Sequence, residues 1–254
     1  AVTTRTQTYQ AIVERGILSR TAEFIPPRTG NVFVLTTRDV WDFHGAKLAG
    51  RFPHQVLFHP GGEPNKRLSV MEELAGQMMA AGADRSSLVI AFGGGIVNDG
   101  GGFLAAIFMR GIPVIQIPTT LLAQADSCIG SKSSINLGAT KNIIGTFNPP
   151  VEVILSTEFL GTLLARDIRS GVGEILKLHA IAGVSAFDAL AGDYDRVLSD
   201  PIVRDLYIRA ALKIKQRFIE EDEFDRGIRN ILNYGHTFGH AIESATRFAV
   251  PHGI

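Results

Sequence analysis

With a single cysteine, Cys128, among 254 residues, the chain can form no internal disulfide, so its fold must be held by an apolar core. It also lacks an excess of either charge. Twenty-five basic residues face 25 acidic ones, a balance that gives no broad field for nucleic acid or an anionic membrane. A small polar metabolite is the better partner. No run approaches the ~18 apolar residues of a membrane span. The opening Ala1-Val-Thr-Thr-Arg5 lacks the basic-then-apolar layout of a signal peptide, so a cytoplasmic location is expected, and without an initiator Met a trimmed start is expected too.

What is present is organised in two halves. Apolar, β-branched runs at 31–36, 55–58, 87–92, 113–117 and 151–155 read as strands buried on both faces, and 39–51, 65–81 and 98–109 between them as helices. That alternation predicts a parallel sheet covered by helices on both sides. After about residue 160 the strand signals stop, and 166–182, 201–223 and 228–248 read as helices. The expectation is an α/β nucleotide-binding domain over 1–155, with its parallel sheet, followed by an all-α metal- and substrate-binding domain over 156–254.

Three motifs carry chemistry. The run Gly93-Gly94-Gly95 follows a strand, and Asn98-Asp99-Gly-Gly-Gly102 is expected to open a helix, so the backbone is either a plain tight turn or a cradle for a dinucleotide's diphosphate. Asp99 is either a helix cap or a ribose contact. Arg110, Asp126, Lys132, Lys141 and Asn142 fall in a loop-rich stretch and are either solvated or gathered around a phosphate. His236 and His240 are spaced i, i+4, with His252 beyond them, so three imidazoles can meet one metal ion or simply face water. Gly235 and Gly239 in that predicted helix cost about 1 kcal/mol each against alanine, which points to a close approach of backbone or ligand. Cys128 reads as packed, and His44, His54, His59 and His179 as surface or satisfied residues.

In order along the chain, Gly93-Gly-Gly-Ile-Val-Asn-Asp99, Met109-Arg-Gly-Ile-Pro113, Ile117-Pro-Thr-Thr-Leu-Leu122, Asp126-Ser-Cys-Ile-Gly-Ser-Lys132, Lys141-Asn-Ile-Ile-Gly145, Gly173-Glu-Ile-Leu-Lys177 and Asn233-Tyr-Gly-His-Thr-Phe-Gly-His240 resemble the sugar-phosphate cyclases, and among them the 3-dehydroquinate synthases. The resemblance spans nearly the whole chain. It implies a zinc or cobalt ion held by Glu174, His236 and His252, with His240 moved to the side of the leaving phosphate. It implies NAD held by Glu63, Lys66, Gly93, Gly94, Gly95, Asp99, Thr119, Thr120, Lys141, Phe159 and Thr162. Bound NAD would oxidise a ring hydroxyl, phosphate would leave by elimination, the ketone would be reduced again, and the opened sugar would close into a carbocycle. Lys177 would sit at the oxygen that becomes the ketone. Asp126, Lys132, Asn142, Asn233 and His240 would line the reacting end, with Arg110 reaching in from a partner subunit of a homodimer. The pathway implied is the shikimate route to aromatic amino acids.

The resemblance leaves the sugar phosphate to be chosen. Lys215 and Arg229 match the pair that holds the carboxylate of a seven-carbon keto acid phosphate; otherwise they form a basic face beside the acidic run 220–223. Ser131, Asn136-Leu137 and Pro149-Pro150 look more like the relatives that make 2-deoxy-scyllo-inosose from glucose 6-phosphate. Those relatives usually lack the matching Arg229 and Asn233, and the sedoheptulose-phosphate cyclases that make 2-epi-5-epi-valiolone usually replace the residue at His240. Dehydroquinate formation is therefore the expected reaction. A metal-dependent alcohol or glycerol dehydrogenase is the alternative, but it has no need of a Lys132, Lys141, Asn142 cluster. The resemblance also implies a further helical segment beyond Ile254.

Overall fold

A computed structural model describes residues 1–138, 140–246, 250–251 and 253–254, together with their side chains except those of His240 and Ser244. Two strands, β1 (Val2–Thr3) and β2 (Thr8–Val13), come first. Strands and helices then alternate through β3 (Val32–Thr36), α1 (Arg38–His44), β4 (Gln55–Phe58), α2 (Leu68–Ala80), β5 (Leu88–Gly93), α3 (Gly95–Ile107) and β6 (Val114–Pro118). A hairpin of β7 (Lys132–Leu137) and β8 (Thr140–Phe147) precedes β9 (Glu152–Leu155). The main helices after β9 are α4 (Ala165–Ala182), α5 (Val184–Ser199), α6 (Pro201–Glu221) and α7 (His236–Ala245).

The large sheet runs β1-β2-β9-β6-β5-β3-β4 and is parallel apart from the β1–β2 pair. Its central strands read as continuous apolar runs because both faces are covered. Phe33, Leu35, Val89 and Ala91 pack against α2 and α3, while their neighbours Val34, Leu88, Ile90 and Phe92 pack on the opposite face with Ile17, Leu48 and Phe159. The third core joins Leu121, Val153 and Leu155 to the buried stripes of α4, α5 and α6. The α/β part and the helical part therefore share packed surface.

β3 leads to β4 on one side, whereas the next strand, β5, pairs with β3 on the other. Such a reversal opens a crevice at the carboxyl ends of parallel strands. Gly93 ends β5 at that point, and α3 starts at Gly95, earlier than residue 98. Gly100, Gly101 and Gly102 consequently lie inside α3 and serve packing: a Cβ on Gly101 would sit 2.6 Å from Ala91 Cβ. Asp99 is likewise within the helix and is not its cap.

Other elements depart from the sequence reading. The stretch expected to be loop-rich folds into the β7–β8 hairpin, whose Ser133 hydroxyl meets Thr146 at 2.7 Å. α5 fills what reads as a connection between helices. The predicted helix 228–248 is broken: a 3₁₀ turn over Ile228–Asn233 gives way to Gly235 at φ +79, and α7 begins at His236. Gly235 thus supplies a left-handed turn, with nothing within 4 Å of the position its Cβ would take, instead of a close approach.

Candidate active site

A cavity of about 470 Å³ lies between the carboxyl ends of β5 and β6 and the helices α4, α6 and α7. The first turn of α3 reaches it at Gly95 and Ile96, where a helix start presents N–H groups suited to an anion. A Cβ on Gly95 would meet only Ser127 Oγ, at 3.7 Å, so this glycine faces open space. Gly93 and Gly94 are tighter, with would-be Cβ atoms 2.7 Å from Val97 and 2.9 Å from Thr120.

On the α/β side of the cavity stand Glu63, Lys66, Asp99, Thr120, Lys141 and Asn142. Lys66 Nζ donates to Asp99 Oδ2 at 2.5 Å and to Asn142 Oδ1 at 2.6 Å, although it is buried. Lys141 Nζ donates to Glu243 Oε2 at 2.8 Å and lies 3.5 Å from Glu63 Oε1. Asn142 has a left-handed φ of +54, which Asn tolerates better than most residues, and its N–H donates to Asn136 Oδ1. Thr119 is buried just behind, its N–H bound to the carbonyl of Gly93.

Helices supply the other wall. Glu174 is buried on α4; its Oε2 accepts from Lys177 Nζ at 2.5 Å and its Oε1 lies 3.7 Å from His236 Nε2. Lys177, His236 and Asn233 line the cavity directly. Lys215, from α6, donates to Asp126 Oδ1 at 2.9 Å and to the Asp126 carbonyl at 2.5 Å. Burial would raise the Asp126 carboxyl, but Lys215, Lys177 and His236 outweigh it and hold the group below the usual carboxylate range. Lys132 is paired with Asp225. Arg229 is buried with its guanidinium on the Glu223 carbonyl; burial lowers its pKa, against Asp225, Asp126 and Asp222. Among the described residues, six carboxylates (Glu63, Asp99, Asp126, Asp167, Asp225, Glu243) and six fixed cations (Lys66, Lys132, Lys141, Lys177, Lys215, Arg229) line the cavity. With charge balanced, the cavity offers an anion oriented donors more than a net positive field.

Several predicted residues stand elsewhere. Arg110 is exposed on a turn with φ +72, away from this cavity. Phe159 is fully buried on the far face of the sheet, its ring 4.9 Å from that of His44, and Thr162 Oγ1 lies 3.0 Å from His44 Nε2. His252 lies outside the described residues, as does the side chain of His240, although residue 240 belongs to α7. Gly253, next to His252, rests on α4 so closely that Cβ atoms would not fit between it and Ser170 or Gly173.

Some lining residues escape a reading of the sequence. Asp225 and Ser127 both line the cavity, and each keeps a buried oxygen, Oδ1 and Oγ, with no partner among the described residues. Asp225, just past the acidic run 220–223, carries no pattern that marks it; Glu243, seven residues after His236 and thus on its helix face, had a signal in that spacing. A shallower recess at the ends of β3 and β4 is walled by Thr37, Asp39, Phe58, His59 and Gly61, next along the chain to Glu63.

Residues 56–170 match the family model described as 3-dehydroquinate synthase N-terminal, and residues 171–254 the one described as 3-dehydroquinate synthase C-terminal. A 3-dehydroquinate synthase of Solibacter usitatus is 50% identical over 251 residues, which are 97% of this chain and 70% of that protein. Among solved structures, 2-epi-5-epi-valiolone synthase from Streptomyces hygroscopicus subsp. jinggangensis, with NAD+ and Zn2+ bound, superposes with a TM-score of 0.88 at 26% identity, over 100% of this chain and 72% of that one. A 2-deoxy-scyllo-inosose synthase complexed with carbaglucose-6-phosphate, NAD+ and Co2+ gives 0.85 at 25% identity, over 99% and 70%. The two family models meet at Gly171, inside the helix that carries Glu174, and follow one another without a gap: the chain belongs to the 3-dehydroquinate synthase family.

Proposed function

We propose that the protein is a NAD- and metal-dependent sugar-phosphate cyclase that eliminates phosphate and forms 3-dehydroquinate from a seven-carbon keto acid phosphate. One observation carries this: a single cavity is lined by His236, which lies 3.7 Å from the buried Glu174, by the glycine turn of α3 and by cations suited to both a phosphate and a carboxylate. The donor set fits the cofactors. Glu174 and His236 bring an oxygen and a nitrogen within 3.7 Å, and with His252 they would hold zinc or cobalt. Gly95, open to the cavity, together with Glu63, Lys66, Asp99, Thr120 and Lys141, would hold the dinucleotide. When bound, NAD supplies reversible oxidation at one substrate carbon and the metal a positive charge beside the oxygen on it.

The chain's own residues do the rest. Lys177, anchored by Glu174, donates to the substrate oxygen nearest the metal ligands. Lys132 would leave Asp225 for the phosphate, and Asn142 and Asn233, which line the same cavity, would add donors to it; the resemblance assigns His240 to the same task. Asp225, once Lys132 leaves its Oδ2, would be a carboxylate on the cavity wall able to accept a proton from the substrate. Arg229 and Lys215, both buried cations that line the cavity, would hold a carboxylate, which would favour the keto acid over glucose 6-phosphate or sedoheptulose 7-phosphate. In a homodimer, the exposed Arg110 would serve a neighbouring copy's cavity. A dehydrogenase acting on a simple alcohol would leave Lys132, Lys215 and Arg229 without a ligand.

The test is phosphate release from the keto acid phosphate with NAD supplied far below the substrate. Many turnovers per NAD, with no net NADH, are expected. NADH formed in proportion to product would establish the dehydrogenase reading instead.

A further inference from the structure

Polar contacts run without interruption from the α3 end of the cavity to α7. Asp99 holds Lys66, and the same ammonium donates to Asn142. The Asn142 N–H donates to Asn136 Oδ1 at 2.9 Å, and Asn136 Nδ2 donates to Glu63 Oε1 at 2.9 Å. Glu63 lies beside Lys141, which donates to Glu243 on α7. Lys66, Asn136 and Glu243 are buried, so a broken link would leave a desolvated polar group behind. His236 and Glu243 are about two turns apart on one face of α7. The helix that carries the proposed metal ligand is thus tied to the β7–β8 hairpin through an acid that no part of the reaction above uses.

We infer that Glu243 is a positioning residue whose ion pair with Lys141 couples occupancy of the dinucleotide end of the cavity to the placement of His236 at the metal end. This rests on the function proposed above. A dinucleotide held by Glu63, Lys66, Asp99 and Lys141 immobilises the side chains on which α7 leans. A metal ion arriving afterwards then has less disorder to remove, which is positive cooperativity without a large change of shape. Linkage makes the effect reciprocal, so the metal tightens NAD by the same factor.

Two measurements decide it. Co2+ is titrated by absorption with and without saturating NAD, in the wild type, E243Q, K141M and the control R196Q, which breaks a surface pair on α5. NAD should tighten Co2+ about fivefold or more in the wild type and R196Q, within the usual range of coupling. In E243Q the ratio should fall to near one, with Co2+ alone still bound; K141M, which also removes a dinucleotide contact, is compared at an NAD concentration shown to saturate it and should give the same result. Hydrogen exchange of the α7 amides, without ligands, should quicken about tenfold in both variants, because local opening loses one of its restraints. An undiminished NAD effect in E243Q, or α7 exchange unchanged in both variants, overturns the inference. A wild type that binds neither NAD nor Co2+ overturns the proposed function and the coupling with it, while the exchange comparison still reports whether the ion pair holds α7.

Discussion

Replacing Arg229 by alanine is the sharpest test of substrate choice. Arg229 is 5% exposed as a residue; its guanidinium donates to the Glu223 carbonyl and lies near Gly130, whose would-be Cβ is 3.1 Å from Nη2. Arg229→Ala therefore removes the cation for a substrate carboxylate and a donor to a backbone carbonyl. Losing a partner to a desolvated charge costs about 2–4 kcal/mol in transition-state stabilisation. At 1.36 kcal/mol per decade that is a fall of roughly 30- to 900-fold in kcat/KM for the keto acid phosphate. The structural part of the loss acts on any substrate, so glucose 6-phosphate and sedoheptulose 7-phosphate serve as internal controls. Phosphate release is followed for all three in wild type and variant, with the folded fraction checked by thermal unfolding. A wild type that prefers a neutral sugar phosphate, or an Arg229→Ala loss equal for all three substrates, refutes the assignment of Arg229 to a carboxylate.

Cys128 should resist thiol reagents in the native protein near pH 8 and react fully once unfolded, since burial pushes its thiol up to about 12; rapid native labelling would show that the strand ends open easily. Stability should fall as the pH drops through about 6.5, the ordinary imidazole value. His44, His59 and His179 are all held below that value, chiefly by burial, so the unfolded chain takes up protons more readily and folding is favoured at higher pH. Asp126, which burial would raise but Lys215 and Lys177 hold low, stays charged across this window and adds no slope. A thermal midpoint that is flat or rises between about pH 7.5 and 5.5 would contradict the burial of these imidazoles.

Legibility followed burial. β3, β5, β6 and β9 are readable because parallel strands covered on both faces must be almost wholly apolar. The β7–β8 hairpin is not, since β8 has largely exposed or half-buried positions and its polar side chains bond to one another and to the cavity. Helix α5 is masked by the acids and glycine in its sequence, and the start of α7 by a glycine whose purpose is a turn. At the site, the cations were visible one by one, yet nothing local reveals that Lys66 meets Asp99 or that Lys141 meets Glu243, for these pairs join segments far apart in the chain. A carboxylate on a helix is ordinarily solvated, whereas Glu243 is buried where α7 meets Lys141 of the hairpin. Once it is buried, its charge must be compensated, and Lys141 contributes to that at 2.8 Å. Because Lys141 also faces the cavity, any ligand that draws on its charge must act on α7 as well, which is why the pairing in the ligand-free state bears on how the site fills.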